Sequence, residues 1–204
     1  MSKSSHGDTE QTALRQQFRA ARRALSAAEQ QAAAQQLAVH FSRSAAFHHA
    51  SSLAFYLAAD GELSLAPLLE AALAAGKRCF LPVANAEANS LSFCAFHGDP
   101  AELAPNRWGI LEPTAAHDHI DVAALDLVFL PLVACDAHGT RLGMGKGFYD
   151  RALGFLLEAG ASAEPRLVGV AHDCQVSATP LPRASWDVPL TLIATPTTVL
   201  VTPA

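Results

Sequence analysis

The sequence predicts a single α/β domain with a mostly parallel sheet and helices on both of its faces. Three observations support this fold class. The chain has 204 residues, 50% of them hydrophobic and 16% charged, which is enough apolar material for one core and excludes a disordered protein. Short apolar runs alternate with helical segments along the chain. The candidate strands are apolar on both faces, as strands buried in a parallel sheet are.

The first elements predict an N-terminal helical hairpin ahead of the sheet. Residues 1–10 are polar and we expect them to be frayed, so the α/β domain spans residues 11–204. Between residues 11 and 25 the apolar side chains recur at helical spacing along one stripe. Ser26 and Glu29 then have the spacing of a capping box, which predicts the start of a second helix.

The elements that follow alternate between strand and helix. The predicted strands are the short apolar runs 52–58, 78–83, 91–96, 125–134, 166–172 and 190–195. The predicted helices are 64–75, which Gly76 ends, and 147–159. The segment between residues 97 and 124 contains three prolines and is predicted to be irregular. No repeat or linker divides the chain.

Composition and charge exclude several classes of protein. The formal charge of −5 and a pI of about 5.9 argue against a general nucleic-acid binder. No apolar run is long enough to cross a membrane or to serve as the core of a signal peptide, so we expect a cytoplasmic protein. Nothing indicates an obligate protein partner. Four separated cysteines and the paired histidines lack ligand spacing, which favours buried thiols and loop histidines over a disulfide or metal set.

A glycine-rich segment after the strongest predicted strand is the leading candidate site. Three glycines stand at alternate positions: Gly143, Gly145 and Gly147. They allow the backbone to fold closely around a ligand and to present its N–H groups. Gly147 falls at a helix start, which favours an anion, while Arg141 and Lys146 add positive charge. The segment is therefore predicted to cradle a polyphosphate, with Asp150 able to hold the accompanying Mg²⁺.

This segment has a plain alternative as a structural turn between a strand and a helix. It is not a Walker loop, because Gly147 follows Lys146 where that motif has Ser or Thr, and it does not match the dinucleotide fingerprint. Two further residues are ambiguous. Glu62 follows the first predicted strand and is either a solvated acid or a substrate contact. Trp108 is either a core residue or an aromatic wall for a flat ligand.

The glycine-rich segment also resembles a family signature. From Asp136 to Arg151 the pattern Asp-x-x-Gly-x-Arg-Leu-Gly-x-Gly-x-Gly-x-Tyr-Asp-Arg is similar to that of the 5-formyltetrahydrofolate cyclo-ligases, also called methenyltetrahydrofolate synthetases. Further segments resemble the family in the same order along nearly the whole chain: Leu14-Arg15 with the Arg-rich helix, Phe55-Tyr56-Leu57 with Gly61-Glu62, Trp108-Gly-Ile-Leu-Glu-Pro113, and Trp186-Asp187-Val-Pro-Leu. The resemblance implies an α/β fold of the ribose-isomerase and CoA-transferase-like kind.

The resemblance also implies a reaction and a set of site residues. The family uses ATP and Mg²⁺ to convert 5-formyltetrahydrofolate into 5,10-methenyltetrahydrofolate, releasing ADP and phosphate. ATP would be bound by Gln11, Arg15, Arg141, Leu142, Gly143, Met144, Gly145, Lys146, Gly147, Phe148 and Tyr149. The folate would contact Leu57, Glu62, Trp108 and Tyr149, and Mg²⁺ would be held by Asp150 and Asp187. Arg141 and Lys146 would be the catalytic cations that neutralise the transferring phosphate.

Two other functions remain open at this point, and one residue departs from the family. The alternatives are a non-catalytic nucleotide or polyanion sensor on the same fold, and a kinase-like enzyme for another small carbonyl substrate. The family usually has a lysine where this chain has Gln11. Either the glutamine leaves the ATP site one charge short, or Arg15 or Arg19 takes over the role of the lysine.

Overall fold

Helices and strands alternate along the chain, and a computed structural model describes residues 4–85, 90–107, 109–114, 118–159 and 163–203. The helices are α1 (Ser4–Arg23), α2 (Ala27–Phe41), α3 (Ala45–His49), α4 (Ala66–Ala74), α5 (Phe148–Leu153) and α6 (Leu156–Ala159). The strands are β1 (Ser52–Ala54), β2 (Arg78–Asn85), β3 (Ser90–Ala95), β4 (Leu103–Pro105), β5 (Leu111–Pro113), β6 (His119–Ile120), β7 (Leu127–Pro131), β8 (Ala134–Asp136), β9 (Arg141–Leu142), β10 (Arg166–Val170), β11 (Val176–Ser177), β12 (Leu192–Ala194) and β13 (Val199–Val201).

The main sheet has eight strands in the order β13-β12-β10-β7-β1-β2-β3-β6. Its five central strands, from β12 to β2, are parallel, while β13, β3 and β6 pair antiparallel at the edges. The chain proceeds from β1 to β2 on one side, and from β7 to β10 and β12 on the other. The strand order therefore reverses between β1 and β7, and in such sheets ligands bind outside the carboxyl ends of the strands at this point.

Each central strand contributes to two apolar cores, one on each face of the sheet. Leu53, Phe55 and Phe129 face the core that α2 and α4 cover, and the rings of Phe55 and Phe129 stack with centroids 4.9 Å apart. Val128 points to the opposite core, which Leu153 of α5 helps to fill. Helices thus cover both faces, which confirms the predicted fold class and explains the apolar character of both sides of the strands.

The two N-terminal helices follow one another as predicted but pack on different parts of the sheet. The Ser26–Glu29 capping box is present, with the Glu29 N–H donating to Ser26 Oγ at 3.3 Å and the Ser26 N–H to Glu29 Oε2 at 2.8 Å. Helix α2 covers one sheet face, whereas α1 crosses the carboxyl edge, where Phe18 joins the small core that includes Leu142 and Leu181. Residues 4–10, expected to be frayed, belong to α1.

The largest difference from the sequence prediction concerns the run 125–134. It is not one strand but two, because β7 ends at Pro131 and β8 leaves the main sheet to pair with β9 and β11. The predicted helix 147–159 is likewise divided into α5 and α6. The proline-containing segment predicted to be irregular includes the β4–β5 hairpin and β6. These elements are too short to show a periodic pattern.

The described residues also show the state of the cysteines, the hydropathy of the helices and the grouping of side chains that bind metals. All four cysteines are free thiols; Cys79, Cys94 and Cys135 are buried and Cys174 is exposed. Burial raises the pKa of the Cys79 and Cys135 thiols to about 12, so both are neutral. Within the described ranges, no helix combines the length and hydropathy that a bilayer crossing requires, and no cluster of three or more metal-ligating side chains occurs.

Candidate active site

A cleft of about 900 Å³ lies at the carboxyl ends of β1 and β7, where the strand order reverses. Tyr56 and Leu57 follow β1 into the cleft, and Pro131 and Leu132 line it at the end of β7. The predicted site residues brought together in it are Gln11, Arg15, Leu57, Glu62, Arg141, Leu142, Gly143, Met144, Gly145, Lys146, Gly147, Phe148, Tyr149, Asp150 and Asp187. Trp108, the remaining one, falls outside the described residues.

The glycine loop (residues 143–147) is held by the hairpin of β8 and β9. At the tip of this hairpin Asp136 Oδ1 accepts hydrogen bonds from the N–H groups of His138 and Thr140. Gly139 completes the turn with φ +82°, and a Cβ at this position would lie 2.6 Å from the carbonyl oxygen of Leu190. Only glycine fits there. Asp136 and Gly139, the first residues of the signature, therefore support the loop rather than contact a ligand.

Helix α1 closes over the glycine loop through one arginine. Arg15 Nε donates to the carbonyl oxygen of Gly143 at 2.9 Å, and Arg15 Nη2 donates to Gln11 Oε1 at 3.0 Å. Gly147, in the left-handed region with φ +65°, is the N-cap of α5, so the helix begins where the sequence predicts. Exposed Lys146 stands on the same loop. The loop is thus bordered by cations, as a site for a polyphosphate would be.

Arg141 lies deeper in the cleft, where it pairs with Asp150 and is within electrostatic reach of Asp187, the other predicted metal ligand. Its guanidinium is nearly buried and pairs with Asp150 Oδ1, while its Nη1 donates to the carbonyl oxygen of Val188. Burial lowers the pKa of Arg141, and the negative charges of Asp150 and Asp187 oppose that effect. Asp187 Oδ2 accepts the N–H of Ala184 at 2.7 Å. Each carboxylate is thereby oriented through one oxygen, and the pair fits Mg²⁺, which takes one or two carboxylates beside phosphate oxygens.

A second group of ionisable side chains lies at the β1 end of the cleft. Glu62 Oε2 accepts the N–H of Ala59 at 3.0 Å, and burial raises the pKa of this carboxyl. Burial also raises the pKa of the Tyr149 hydroxyl; the charge of Glu62 adds to that effect and the charge of Arg141 opposes it. Tyr149 is therefore within electrostatic reach of both Glu62 and Arg141. The structure brings Glu62 into the site rather than leaving it as a solvated acid.

Sequence reasoning missed the arginine cluster that fixes the loop carrying Glu62. Arg22 is completely buried and donates to Asp60 Oδ2 at 2.8 Å, to the carbonyl oxygen of Asp60 at 2.9 Å and to that of Leu132 at 3.0 Å. Arg19 and Arg23 pair with the same carboxylate. The Asp-Gly dipeptide at residues 60–61 signals a turn, and Asp60 indeed has φ +53°, but no local pattern predicts a pairing this distant in sequence.

The rim of the cleft carries exposed apolar side chains. Ile110 and Leu111, at the β4–β5 hairpin, are about half exposed, as is Met144 of the glycine loop. Glu112 holds that hairpin to the main sheet, since its Oε2 accepts the N–H of Ala84 in β2 at 3.3 Å. Trp186, which precedes Asp187 in the chain and also lines the cleft, is 70% exposed. An apolar rim above a polar floor is typical of sites that bind ring-bearing organic ligands.

Comparison with known proteins assigns this combination of fold and site to one family. The model of the 5-formyltetrahydrofolate cyclo-ligase family matches residues 8–196. A 5-formyltetrahydrofolate cyclo-ligase of Escherichia coli (strain K12) is 40% identical over 184 residues, covering 89% of this chain and 98% of that protein. The Haemophilus influenzae protein of the same name is 34% identical, covering 87% of this chain and 92% of its own. A solved 5,10-methenyltetrahydrofolate synthetase of Aquifex aeolicus superposes with a TM-score of 0.80 at 30% identity, covering 95% of this chain and 93% of that one.

Proposed function

The chain belongs to the 5-formyltetrahydrofolate cyclo-ligase family, and from this premise we propose that its cleft binds ATP, Mg²⁺ and 5-formyltetrahydrofolate together and forms 5,10-methenyltetrahydrofolate, ADP and phosphate. The enzyme is a ligase of folate one-carbon metabolism. The observation that carries the ATP and Mg²⁺ part is the Arg141–Asp150 ion pair beside the glycine loop, which combines a cation, a carboxylate and a run of backbone N–H groups.

The folate is proposed to bind with its pterin toward Glu62. An ionised carboxylate accepts two hydrogen bonds from the guanidine-like edge of such a ring, and the partly buried position of Glu62 makes those bonds stronger than in water. Leu57 and Tyr149 line the cleft beside Glu62 and supply apolar contact to a flat ligand. The formyl group would then lie toward Arg141, since the charges of both Glu62 and that arginine act on Tyr149, which lines the same cleft.

The phosphates of ATP are proposed to bind along the glycine loop. The backbone N–H groups around Gly145 and Gly147, with Arg15 and Lys146, would offset their negative charge. Asp150 and Asp187 would hold Mg²⁺, which when bound neutralises charge on the phosphate oxygens. The buried guanidinium of Arg141 holds Asp150 in place and presents positive charge to the transferring phosphate.

The chemistry requires positioning rather than a protein nucleophile. An N-formyl carbon is a poor electrophile, because the nitrogen lone pair feeds its carbonyl. Transfer of the terminal phosphate of ATP to the formyl oxygen converts that oxygen into a leaving group. The folate N10 then forms a bond to the formyl carbon and loses its proton to solvent, the bond from that carbon to the phosphorylated oxygen breaks, and phosphate leaves as the ring closes. The residues of the cleft orient the two substrates and stabilise charge, as in phosphoryl transfer generally.

The direct test is to mix the purified protein with 5-formyltetrahydrofolate, ATP and Mg²⁺ and to follow the absorbance of the methenyl product. Product that depends on both ATP and Mg²⁺ supports the proposal. Lys146→Ala should weaken ATP binding by about 10- to 150-fold, because it removes a charge-assisted contact without disturbing a buried group. Arg43→Ala is the matched control, since Arg43 is an exposed cation outside the cleft and should leave both quantities unchanged.

The same assay separates the two alternative functions. A sensor would bind ATP and yield neither methenyl product nor ADP. A kinase-like enzyme for another carbonyl substrate would leave 5-formyltetrahydrofolate unchanged while forming ADP with its own substrate. A folded, ATP-binding sample that makes no methenyl product would overturn the proposal.

A further inference from the structure

Among the described residues that line the cleft, Trp186 is the most exposed large apolar side chain, and the proposed chemistry gives it no role. Its exposed fraction of 70% exceeds those of the other rim residues Ile110, Leu111 and Met144, which are near one half. We propose that Trp186 is the platform on which the nucleobase of the bound nucleotide stacks. The inference rests on the proposed function, because it takes the glycine loop to be the phosphate site.

An indole in this position contributes little to the folded state, since most of its surface stays in water. Tryptophan instead provides a large flat face for a planar ligand, with few side-chain torsions to restrict on binding. Aromatic bases stack on such faces with little regard to sequence, because every base has a π-face. The exposure of Trp186 is therefore explained if a ring covers it in the bound state.

The backbone that carries Trp186 is fixed to the support of the glycine loop at two points. The N–H of Leu181 donates to Asp136 Oδ2 at 2.7 Å, and Asp136 also organises the β8–β9 turn. At the other end the carbonyl oxygen of Val188 accepts from Arg141. We call residues 181–188 the clamped segment. Because both anchors belong to the hairpin that holds the loop, the backbone that carries the indole keeps a defined position relative to any phosphate bound there.

The turn within the clamped segment adds a third constraint next to the indole. The N–H of Ala184 donates to Asp187 Oδ2 at 2.7 Å, and the N–H of Asp187 returns a bond to the carbonyl oxygen of Ala184 at 3.2 Å. Trp186 is thus presented by a closed four-residue turn and not by a loose loop. A preorganised platform loses little conformational freedom when a ligand covers it.

The contacts of the clamped segment favour the nucleobase over the folate as the occupant. Two residues after Trp186, the carbonyl oxygen of Val188 accepts from Arg141, and Arg141 pairs with Asp150 at the start of α5. Glu62, the proposed pterin contact, is instead held within the loop that follows β1. Trp186 therefore lies in the part of the chain that is fixed to the proposed phosphate and Mg²⁺ residues, and a nucleotide bound there extends its base toward the indole.

The experiment compares binding of ATP with binding of inorganic tripolyphosphate, which carries the phosphates but no base. In the presence of Mg²⁺, Trp186→Ala should raise the Kd of ATP by about 5- to 150-fold, the effect of losing one base–aromatic stack. The Kd of tripolyphosphate should stay the same, and Trp186→Phe should recover most of the ATP affinity. An unchanged ATP Kd overturns the inference, as does an equal loss for both ligands, which would mean that the variant has displaced the loop.

A fluorescence measurement provides a second, independent readout. The chain has two tryptophans, so Trp108→Phe leaves Trp186 as the single reporter. ADP should change the emission of this variant and tripolyphosphate should not. A response to 5-formyltetrahydrofolate alone would assign Trp186 to the folate and overturn the inference. If neither ATP nor tripolyphosphate binds the unmodified protein, the proposed function fails instead, so the two failures are distinguishable.

Discussion

Arg15 illustrates how one side chain can shape a site and charge it at the same time. Its Nε donates to the carbonyl oxygen of Gly143, and its Nη2 donates to Gln11 Oε1, which fixes the orientation of the guanidinium. Arg19, one turn further along α1, is engaged with Asp60. Of the two arginines that could replace the family lysine, Arg15 is the one beside the loop, and Gln11 serves as its acceptor.

This arrangement predicts the effect of restoring the lysine. Gln11→Lys would remove the acceptor and bring an ammonium group close to the Arg15 guanidinium, at a spacing of four residues where like charges repel by about 0.2–0.5 kcal/mol. We expect no tightening of ATP binding and up to about twofold weakening, measured by calorimetry at matched Mg²⁺. Gln11→Met is the control, since it removes the acceptor without adding charge. A lower ATP Kd in the lysine variant would show that the site lacks a charge.

The raised pKa of Glu62 predicts a pH dependence of folate binding. Burial favours the protonated carboxyl, which cannot accept two N–H groups, so the ionised form is lost as pH falls through a pKa above the ordinary glutamate value of about 4.3. The KM for 5-formyltetrahydrofolate should therefore rise on acidification sooner than for a solvated glutamate. Glu62→Gln should have a higher KM at neutral pH, and its KM should no longer rise in this pH range. If the KM of the variant still rises on acidification, another group is responsible.

At the scale of elements, the loop between β1 and α4 depends on α1 for its shape. Buried Arg22 spans from α1 to both Asp60 and the end of β7, so one side chain joins three elements around the cleft. Burial of Asp60 opposes its ionisation, but hydrogen bonds from Arg23, Arg22 and Arg19 outweigh that effect and lower its pKa. The carboxylate is therefore charged in the folded state, where it balances the positive charge of these arginines.

Asp60→Asn should accordingly destabilise the protein by about 3 kcal/mol, because it removes the nearer counter-charge of the buried Arg22 guanidinium and leaves, among the described residues, only Glu62 Oε1, at 3.9 Å. Asparagine tolerates the left-handed backbone of this position, so the loss is electrostatic rather than conformational. Thermal unfolding should show a Tm lower by about 6–12 °C. Asp121→Asn is the control, since Asp121 is an exposed N-cap where asparagine serves equally well.

The stability lost in Asp60→Asn should depend on pH, whereas a loss caused by a packing defect would not. A depressed carboxyl pKa stabilises the fold above the unfolded-state value, and that contribution is lost as pH falls through the folded-state value. The difference in stability between the unmodified protein and Asp60→Asn should therefore shrink in acid. A constant difference across this range would contradict the electrostatic explanation.

Some elements could be predicted from sequence, and others could not, for physical reasons. The capping box at Ser26 is a local signal and was sufficient to locate the start of α2. The strand break within the run 125–134 could not be predicted, because both β7 and β8 are buried. A continuous apolar run gives no signal of where the chain leaves the main sheet. The sequence shows Arg22 as one of several arginines in the first helix, but its burial and its partners could not be predicted, because those partners lie far away in sequence.

At the scale of the whole molecule, the cleft exists because elements from every part of the chain meet at one edge of the sheet. The glycine loop, α1, the loop carrying Glu62 and the clamped segment are each fixed to a neighbour by a charged side chain, among them Arg15, Arg22 and Arg141. A ligand that contacts several of them adds further links between parts of the fold. Ligand binding should therefore be visible as global stabilisation.

The last prediction measures this stabilisation and its dependence on the metal. A non-hydrolysable ATP analogue at 100 times its Kd should stabilise the fold by about 2.7 kcal/mol, which raises Tm by about 5–11 °C for a chain of this size. Since Asp150 and Asp187 are proposed to hold Mg²⁺ against the phosphates, a chelator should reduce the shift.

Asp150→Asn provides the control for the metal-dependent part of the shift. The variant should unfold at a lower temperature in every condition, since Arg141 loses a charged partner. The quantity to compare is therefore the difference between the ligand-induced Tm shifts with Mg²⁺ and with chelator. That difference should be largely lost in the variant and retained in Arg43→Ala. A shift of the same size with Mg²⁺ and with chelator in the unmodified protein would mean that these carboxylates do not bind a metal together with the nucleotide.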